Sequence, residues 1–371
     1  MTSAGNTPLR DAVFIQRLNR FVARVTLDGT ICSVRVPNTG RLAELLLPGK
    51  QVVLVPSPGK YPYKIQYVIF NGRPVLIDSI MSNAVFRDCV VSGVMPGFED
   101  FEIVRREPSV GNHRFDYAVR HDGRDFFVEI KSCTLAWNSV ASFPDAVSAR
   151  AAEHIRVLAE TKRGIIVFML LHEGLDLFVP NYHTDFAFYE TLRHHKNDIE
   201  MRAYSARYDR DYRIAGMVPV RIEIPDVEPR GVYVLVLRAG SDADLSIGGL
   251  GAMKFSKGYY IYVGSGMNNL FKRIEYHRRK RKEPHWHIDY LSGRFPVAAA
   301  LPIVTKEKLE CGLARSVGAL GYRCIEKFGS SDCSCPGHLF FGETNPLHDE
   351  RFIGMIYEYR YGGMTRQYGG N

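Results

Sequence analysis

The stretch whose reading decides the fold is Arg114–Leu135, RFDYAVRHDGRDFFVEIKSCTL. β-Branched and aromatic residues crowd both sides of His121, Asp122 and Gly123, and Asp-Gly favours a tight turn, so the stretch predicts two strands joined as a hairpin. Side chains alternate across a strand. In the second strand Phe126, Val128 and Ile130 therefore face one way and Phe127, Glu129 and Lys131 the other, which sets a carboxylate and an ammonium about 7 Å apart along one face. Asp116, in the first strand, faces opposite to Phe115, Tyr117 and Val119. Asp116, Glu129 and Lys131 are thus expected to converge.

Two carboxylates can hold a hard divalent cation such as Mg²⁺, which takes oxygen ligands and keeps several waters. A cation so held acidifies bound water for attack on a phosphodiester, and a neighbouring Lys helps activate that water or offsets the developing charge. Asp, about a dozen residues, then Glu-x-Lys resembles the signature of PD-(D/E)xK nucleases. The same residues also fit a solvated cross-strand pair on a half-exposed sheet, and on their own they leave both readings open.

The neighbouring segments extend the match. PNTGRL at Pro37–Leu42, R-x-D-x at Arg114–Tyr117, VEIKSCTL at Val128–Leu135 and FPDAVSAR at Phe143–Arg150 resemble the sugar fermentation stimulation protein A family, from about Leu18 to about Pro225. The resemblance implies a DNA-binding protein related to DNA and RNA nucleases, with an OB-like first domain and a PD-(D/E)xK second domain. It implies Glu107, Asp116, Glu129 and Lys131 as the catalytic set, with Asp116 and Glu129 on Mg²⁺ or Mn²⁺. The family's Arg-Gly-x-Lys-His stands here as Arg150, Ala151, Ala152, Glu153, His154, so an acid replaces a basic residue.

Composition sets the bounds. A chain of 371 residues, 46% hydrophobic, has room for two or three packed domains. No apolar run is long enough to span a bilayer, and MTSAGNTPLRD lacks a signal-peptide core. Seven Cys, an odd number, suit free thiols in a reducing cytoplasm. The net charge is +8, which favours an anionic partner. From Pro229 to His348 there are 17 Lys and Arg against 10 Asp and Glu, so most of the excess sits in the last third.

In chain order, residues 1–80 read as an OB-like barrel: FVARVTLDGTICSVRV turns at Asp28-Gly29, and KIQYVIFNGRPVLID turns at Asn71-Gly72. Arg20, Arg35, Lys60, Tyr61, Tyr63 and Lys64 are candidates for binding single strands through charge and stacking. The turn Pro37–Arg41, with Asn38 and Arg41, either presents backbone N–H groups to a phosphate or simply connects two strands. Residues 81–225 read as an α/β nuclease-like domain. It holds a helical start, the hairpin, a loop WNSVASFPDAV, a helix at Ser148–Lys162, a buried strand GIIVFMLLH and a further helix and strand. RIEIPDVEPR supplies a linker, placed at residues 226–230.

Residues 231–348 form a third domain. GVYVLVL and GYYIYVG, with Gly231-Val232-Tyr233 and Tyr262-Val263-Gly264, resemble the paired motifs of GIY-YIG nucleases. LFKRIEYHRRKRK then resembles that fold's first helix, and HWHIDYL, a helix carrying Glu310 and FGSSDCSCPGHLFF follow in the order of a GIY-YIG-like family of unknown function. The resemblance implies that Tyr233 or Tyr262 helps activate water, that Arg273 pairs with the scissile phosphate and that Glu310 binds the metal. Packing tyrosines and a surface carboxylate are the alternative reading. The long insert Arg238–Lys257 separates the two Tyr motifs.

His277, Arg278, Arg279 and Lys280 open a basic run expected to contact phosphates without regard to sequence. Cys333-x-Cys335-x-x-His338, with Cys324 nearby, is an incomplete zinc pattern. The two His of HWH are expected on one strand face, and the tail at residues 349–371 is expected to be loose. The whole predicts a multidomain α+β protein that cleaves DNA or RNA. The alternatives are a non-catalytic DNA-binding regulator and a scaffold.

Overall fold

The computed structural model describes residues 9–368. Residues 1–8, part of the segment read as lacking a signal-peptide core, and the last three residues of the tail lie outside the described residues. The chain divides into one unit up to Pro225 that also takes in the segment from Tyr361, and a second unit, Asp226–Arg360. Among the described residues no helix is long and apolar enough to cross a membrane.

The first unit begins with strands β1 (Arg10–Asn19), β2 (Val22–Leu27), β3 (Thr30–Arg35), β4 (Gln51–Pro56), β5 (Tyr63–Phe70) and β6 (Arg73–Leu76). They lie in the order β3-β2-β1-β4-β5-β6, and Arg35 pairs with Lys64 so that β3 meets β5 and closes five strands into a barrel. Both expected turns are present, with Asp28, Gly29, Asn71 and Gly72 all at positive φ, as a two-residue hairpin turn of the I′ type requires. Strand β1, from Arg10, precedes FVARVTLDGTICSVRV, the first segment read as strands from sequence. Its register slips at Phe14/Gln16 and at Arg17/Asn19, and such bulges erase the alternation by which a strand is recognised.

Next come α1 (Met81–Val91), β7 (Glu102–Arg106), β8 (Ser109–Val110), β9 (His113–Arg114), β10 (Tyr117–His121), β11 (Arg124–Cys133), β12 (Leu135–Trp137), β13 (Val140–Phe143) and α2 (Ala149–Glu160). They are followed by β14 (Gly164–Leu170), β15 (Leu177–Pro180), α3 (Phe186–His194), β16 (Ile199–Tyr208), β17 (Ile214–Pro219) and β18 (Arg221–Ile222). The main sheet has the order β17-β16-β14-β11-β10-β7. β14 is buried throughout and lies parallel to both β11 and β16, as a continuous apolar run demands. The β10–β11 hairpin pairs Tyr117 with Val128 and His121 with Arg124. A second sheet, β12-β13-β15-β18, corrects the expected loop at WNSVASF. That segment is a hairpin turning through Asn138 at positive φ, and without a glycine it carries little turn signal.

Helix α2 is capped by Ser148, whose Oγ accepts from Ala151 N. The helix packs Ile155, Leu158 and Ala159 into the core beneath the sheet. The chain then returns to β14 through Gly164, where a Cβ would stand 2.4 Å from Leu158 Cγ and 2.7 Å from the Leu158 carbonyl oxygen. Gly164→Ala is therefore expected to lower stability by about 1–3 kcal/mol, because a backbone atom would have to give way. A urea titration of the variant checks this.

The second unit contains β19 (Gly231–Ala239), β20 (Ala243–Ser246), β21 (Ala252–Phe255), β22 (Gly258–Ser265), α4 (Leu270–Arg278), α5 (His287–Arg294) and β23 (Val297–Val304). It continues with α6 (Glu310–Ala319), β24 (Arg323–Ile325), β25 (Leu339–Gly342) and the start of α7 (Glu350–Tyr368). Its sheet is β23-β19-β22-β25-β24, antiparallel at every pairing. The insert between the two Tyr motifs folds as the β20–β21 hairpin. The expected loose tail is corrected: α7 runs to Tyr368, with Phe352, Ile353, Ile356 and Tyr357 buried along it.

Candidate functional site

Asp116 does not lie within a straight strand from Arg114. The chain bends there, between β9 and β10, and the bend turns the carboxylate across to β11. Its Oδ2 accepts from Ile130 N at 2.7 Å and its Oδ1 from Asn83 Nδ2 of α1 at 2.5 Å. Glu129 Oε1 accepts from Lys131 Nζ at 2.7 Å and lies 2.6 Å from His154 Nδ1 of α2. Arg150 Nε donates to His154 Nε2 at 3.3 Å. That leaves the imidazole proton on Nδ1, where it donates to Glu129. Glu129, Lys131 and His154 are 5%, 9% and 6% exposed, so the Glu129 and Lys131 charges are held by each other and by the imidazole rather than by water.

Burial drives the Asp116 carboxyl up to about 6, with repulsion from the Glu129 carboxylate adding to it against the opposing bonds from Ile130 and Asn83. Burial also acts upward on Glu129, but the hydrogen bond from His154 and the charge and bond of Lys131 hold it below the usual carboxylate range. One carboxylate is thus firmly ionised and its neighbour is poised. Such a pair has room for further positive charge.

A cavity of about 360 Å³ opens here, lined by Arg20, Asn38 and Thr39 from the barrel and by Asn83, Lys131 and Ser148. The Pro37–Arg41 turn on its rim is tied inward. Gly40 N donates to Asn38 Oδ1 at 2.7 Å, Asn38 Nδ2 to the Ile77 carbonyl at 3.0 Å and Leu42 N to Asp145 Oδ2 at 2.6 Å. Arg17 donates to the carbonyls of Asn38, Gly40 and Arg41 at 2.6 to 2.8 Å. The Gly40 amide and the Asn38 side chain thus build the turn itself. Lys64 is held by Asp78 at 2.6 Å, whereas Arg20, Arg35 and Arg41 are exposed. Glu107, at φ +49, has its exposed carboxylate 3.0 Å from Arg114 and donates its backbone N–H to the Asp116 carbonyl at 2.9 Å.

In the second unit the Tyr233 and Tyr262 rings lie 6.3 Å apart. The Tyr233 hydroxyl is 2.8 Å from His277 Nε2, and His277 Nδ1 is 2.8 Å from Asp289 Oδ1. Asp289 also takes the amides of His285 at 3.0 Å and Trp286 at 2.9 Å and the Lys282 ammonium at 3.1 Å. Burial raises both tyrosines above their ordinary range and lowers His277. Arg273 donates to the Ser265 carbonyl at 3.0 Å and stacks 4.3 Å over Trp286. Glu310, the first residue of α6, lies 3.3 Å from His338 Nδ1.

Two expectations are corrected here. His277, expected to contact a phosphate, is buried inside α4 between Tyr233 and Asp289, while Arg278, Arg279 and Lys280 are exposed. HWH is not a strand: Trp286 caps the start of α5.

Sequence reasoning missed Asn83, His154 and Asp289 as members of these clusters. His154 carried a signal, since it closes the helical motif that follows the hairpin. Asn83 is reached only by folding α1 back onto β10, and no spacing announces it.

Three comparisons bear on these sites. Residues 15–77 match the SfsA N-terminal OB domain, residues 80–212 the sugar fermentation stimulation protein RE domain, and residues 232–359 the domain of unknown function DUF123. A sugar fermentation stimulation protein homolog of Caldanaerobacter subterraneus subsp. tengcongensis is 35% identical over 206 residues, covering 53% of this chain and 90% of that protein. The homolog of Desulforamulus reducens is 36% identical, covering 50% of this chain and 80% of its own length. The solved structure of Pyrococcus furiosus SfsA in complex with Ca²⁺ is 29% identical with a TM-score of 0.55, covering 58% of this chain and 96% of that one.

Proposed function

Since the chain belongs to the sugar fermentation stimulation protein family, we propose that its first unit is a metal-dependent nuclease that hydrolyses phosphodiester bonds of DNA or RNA at Asp116, Glu129 and Lys131. The observation that carries this reading is the convergence of Asp116, Glu129, Lys131 and His154 beside an open cavity. The donor set fits a hard cation: the buried Glu129 and half-buried Asp116 carboxylates, whose repulsion contributes to raising Asp116, supply the oxygen ligands that Mg²⁺, Mn²⁺ and Ca²⁺ take. The Ca²⁺ complex of the Pyrococcus furiosus relative supports a hard-cation site here. Asp116 and Glu129 would hold the cation, which when bound would polarise the phosphate and acidify water.

The chain's own groups do the rest. His154 fixes the Glu129 carboxylate by donating from Nδ1, Asn83 orients Asp116, and Lys131 places its ammonium where negative charge develops on the phosphate. The sheet with β11, β14 and β16 parallel and the β10–β11 hairpin between β14 and β7 suits a PD-(D/E)xK core. The barrel lends Arg20 to the cavity rim, and seven free thiols suit a cytoplasmic setting. For the second unit we infer a GIY-YIG-like phosphate site at Tyr233, Tyr262, Arg273 and Glu310. There the stacked Arg273 guanidinium is the anion-facing group, and the exposed Arg278, Arg279 and Lys280 extend the field.

The test is cleavage of labelled single-stranded DNA, double-stranded DNA and RNA with Mg²⁺ or Mn²⁺ against a chelator. Metal-dependent cutting supports the reading. Salt-sensitive binding of all three without cutting would sink it in favour of a non-catalytic DNA-binding regulator.

The raised Asp116 carboxyl gives a pH prediction. The folded state holds this proton more tightly than the unfolded chain, so the contribution is full below about 4 and is lost as pH rises through about 6. Metal-free protein is therefore expected to lose stability from this group across that window. Mg²⁺ is expected to raise the melting temperature more at neutral pH than near about pH 5, where it competes with the proton. Asp116→Asn should abolish both effects in a thermal melt.

A further inference from the structure

We propose that the second unit carries a structural zinc site formed by the Sγ atoms of Cys311, Cys333 and Cys335 and by His338 Nε2. The ligand atoms available from these four residues lie within 4.8 Å of one another, and His338 Nε2 is 3.6 Å from Cys333 Sγ. Three thiolates and one imidazole form a tetrahedral set of soft and borderline donors, which selects Zn²⁺ over the oxygen-loving cations expected at Asp116 and Glu129. The site is distinct in chemistry and in residues from that one.

Two further observations point to a bound ion. His338 is 2% exposed, its imidazole faces the sulfurs through Nε2, and its Nδ1 finds no aligned hydrogen bond. Glu310 Oε1 stands 3.3 Å from that Nδ1. Binding metal through Nε2 leaves the proton on Nδ1, where it draws in the Glu310 carboxylate. A carboxylate behind a metal-bound His in this way fixes the ring's orientation and raises its basicity.

The site also explains the segment around it. Residues 326–337 contain no strand or helix, yet Phe328 is fully buried and His338 returns its amide to the Phe328 carbonyl at 2.8 Å. A cation bound by Cys333, Cys335 and His338 on this loop and by Cys311 in the first turn of α6 would pin the loop to the helix. Cys324, next to the pattern in sequence, takes no part: the fourth ligand comes from Cys311, on a different element.

The experiment is metal analysis of the full chain purified under reducing conditions, followed by replacement with Co²⁺ and recording of the visible bands of tetrahedral cobalt and its sulfur charge-transfer band. Wild type and Cys324→Ser are expected to carry one zinc per chain and to give the thiolate-cobalt spectrum. Cys311→Ser and Cys335→Ser are expected to lose zinc at least about tenfold, with chelation lowering the wild-type melting temperature. Circular dichroism of each variant shows whether it folds, and the wild-type and Cys324→Ser results decide the matter if a ligand variant does not. Reduced wild type that takes up neither zinc nor cobalt, iron in place of zinc, or metal lost in Cys324→Ser and kept in Cys311→Ser would overturn the proposal.

Discussion

Glu129→Gln is expected to slow metal-dependent cleavage by at least about 10²-fold, the scale set by removing one preorganised charge-stabilising group from an active site. The substitution keeps the shape and removes the charge. Three groups then lose their anion together: the cation expected between Asp116 and Glu129, the Lys131 ammonium at 2.7 Å and the His154 Nδ1 proton at 2.6 Å. Lys131 and His154 have little water to turn to. Some loss of stability should accompany the loss of rate, so the assay belongs well below the melting temperature of the variant, with nucleic-acid affinity measured alongside. Retained binding with lost cutting is the expected pattern. Glu310→Ala, in the second unit, is expected to leave this cleavage intact.

Asp289→Ala is expected to cost the second unit about 3–5 kcal/mol, because it breaks a buried pair by removing one partner. Asp289 is fully buried and accepts from His277, Lys282 and two backbone amides. Lys282, whose side chain is 3% exposed, would be left without its anion, and His277 without the acceptor that fixes its tautomer. The Tyr233 hydroxyl, which donates to His277 Nε2, would lose its alignment as a consequence. Asp289 is held down at about 2; burial opposes this, but the His277 and amide hydrogen bonds outweigh it. Its stabilising contribution is therefore present above the ordinary carboxylate range and is lost as pH falls through about 2. Chemical denaturation followed by tryptophan fluorescence in a Trp137→Phe background reads this unit, since Trp286 then remains as the one Trp of the chain.

The hairpin was legible because two local rules agree there: Asp-Gly sets the turn, and strict alternation places Glu129 and Lys131 on one face. The buried strand β14 and the capped helix α2 were legible for the same reason, each showing its period and its ends in the residues themselves. Features that depend on non-local contacts were not. Strand β1 hid behind two bulges, and the β12–β13 hairpin turns on Asn138 with no glycine to mark it. Helix α7 did carry a period, in Phe352, Ile353, Ile356, Tyr357 and Tyr361, but Gly362, Gly363 and the terminal glycines masked it.

The site divides along the same line. Asp116, Glu129 and Lys131 fall within one hairpin and could be assembled on paper. Asn83 and His154 come from helices before and after it. Cys311 shows the distance most plainly: it stands far upstream of Cys333-x-Cys335-x-x-His338, and only the packing of α6 against the loop brings it in place of Cys324. The inward ties of the Pro37–Arg41 turn were invisible for a related reason, because Arg17 and Asp145 approach it from other strands and loops. His277 looked like the start of a basic run that contacts phosphates and is instead the buried centre of a Tyr–His–Asp chain.

The central claim is that Asp116 and Glu129 together hold a divalent cation beside Lys131. An anomalous-difference map from crystals soaked in Mn²⁺ tests it most directly. The account predicts a peak within about 2.0–2.3 Å of carboxylate oxygens of both residues, absent from crystals of Glu129→Gln. A map with no density between those carboxylates in wild-type crystals that bind Mn²⁺ elsewhere would contradict it.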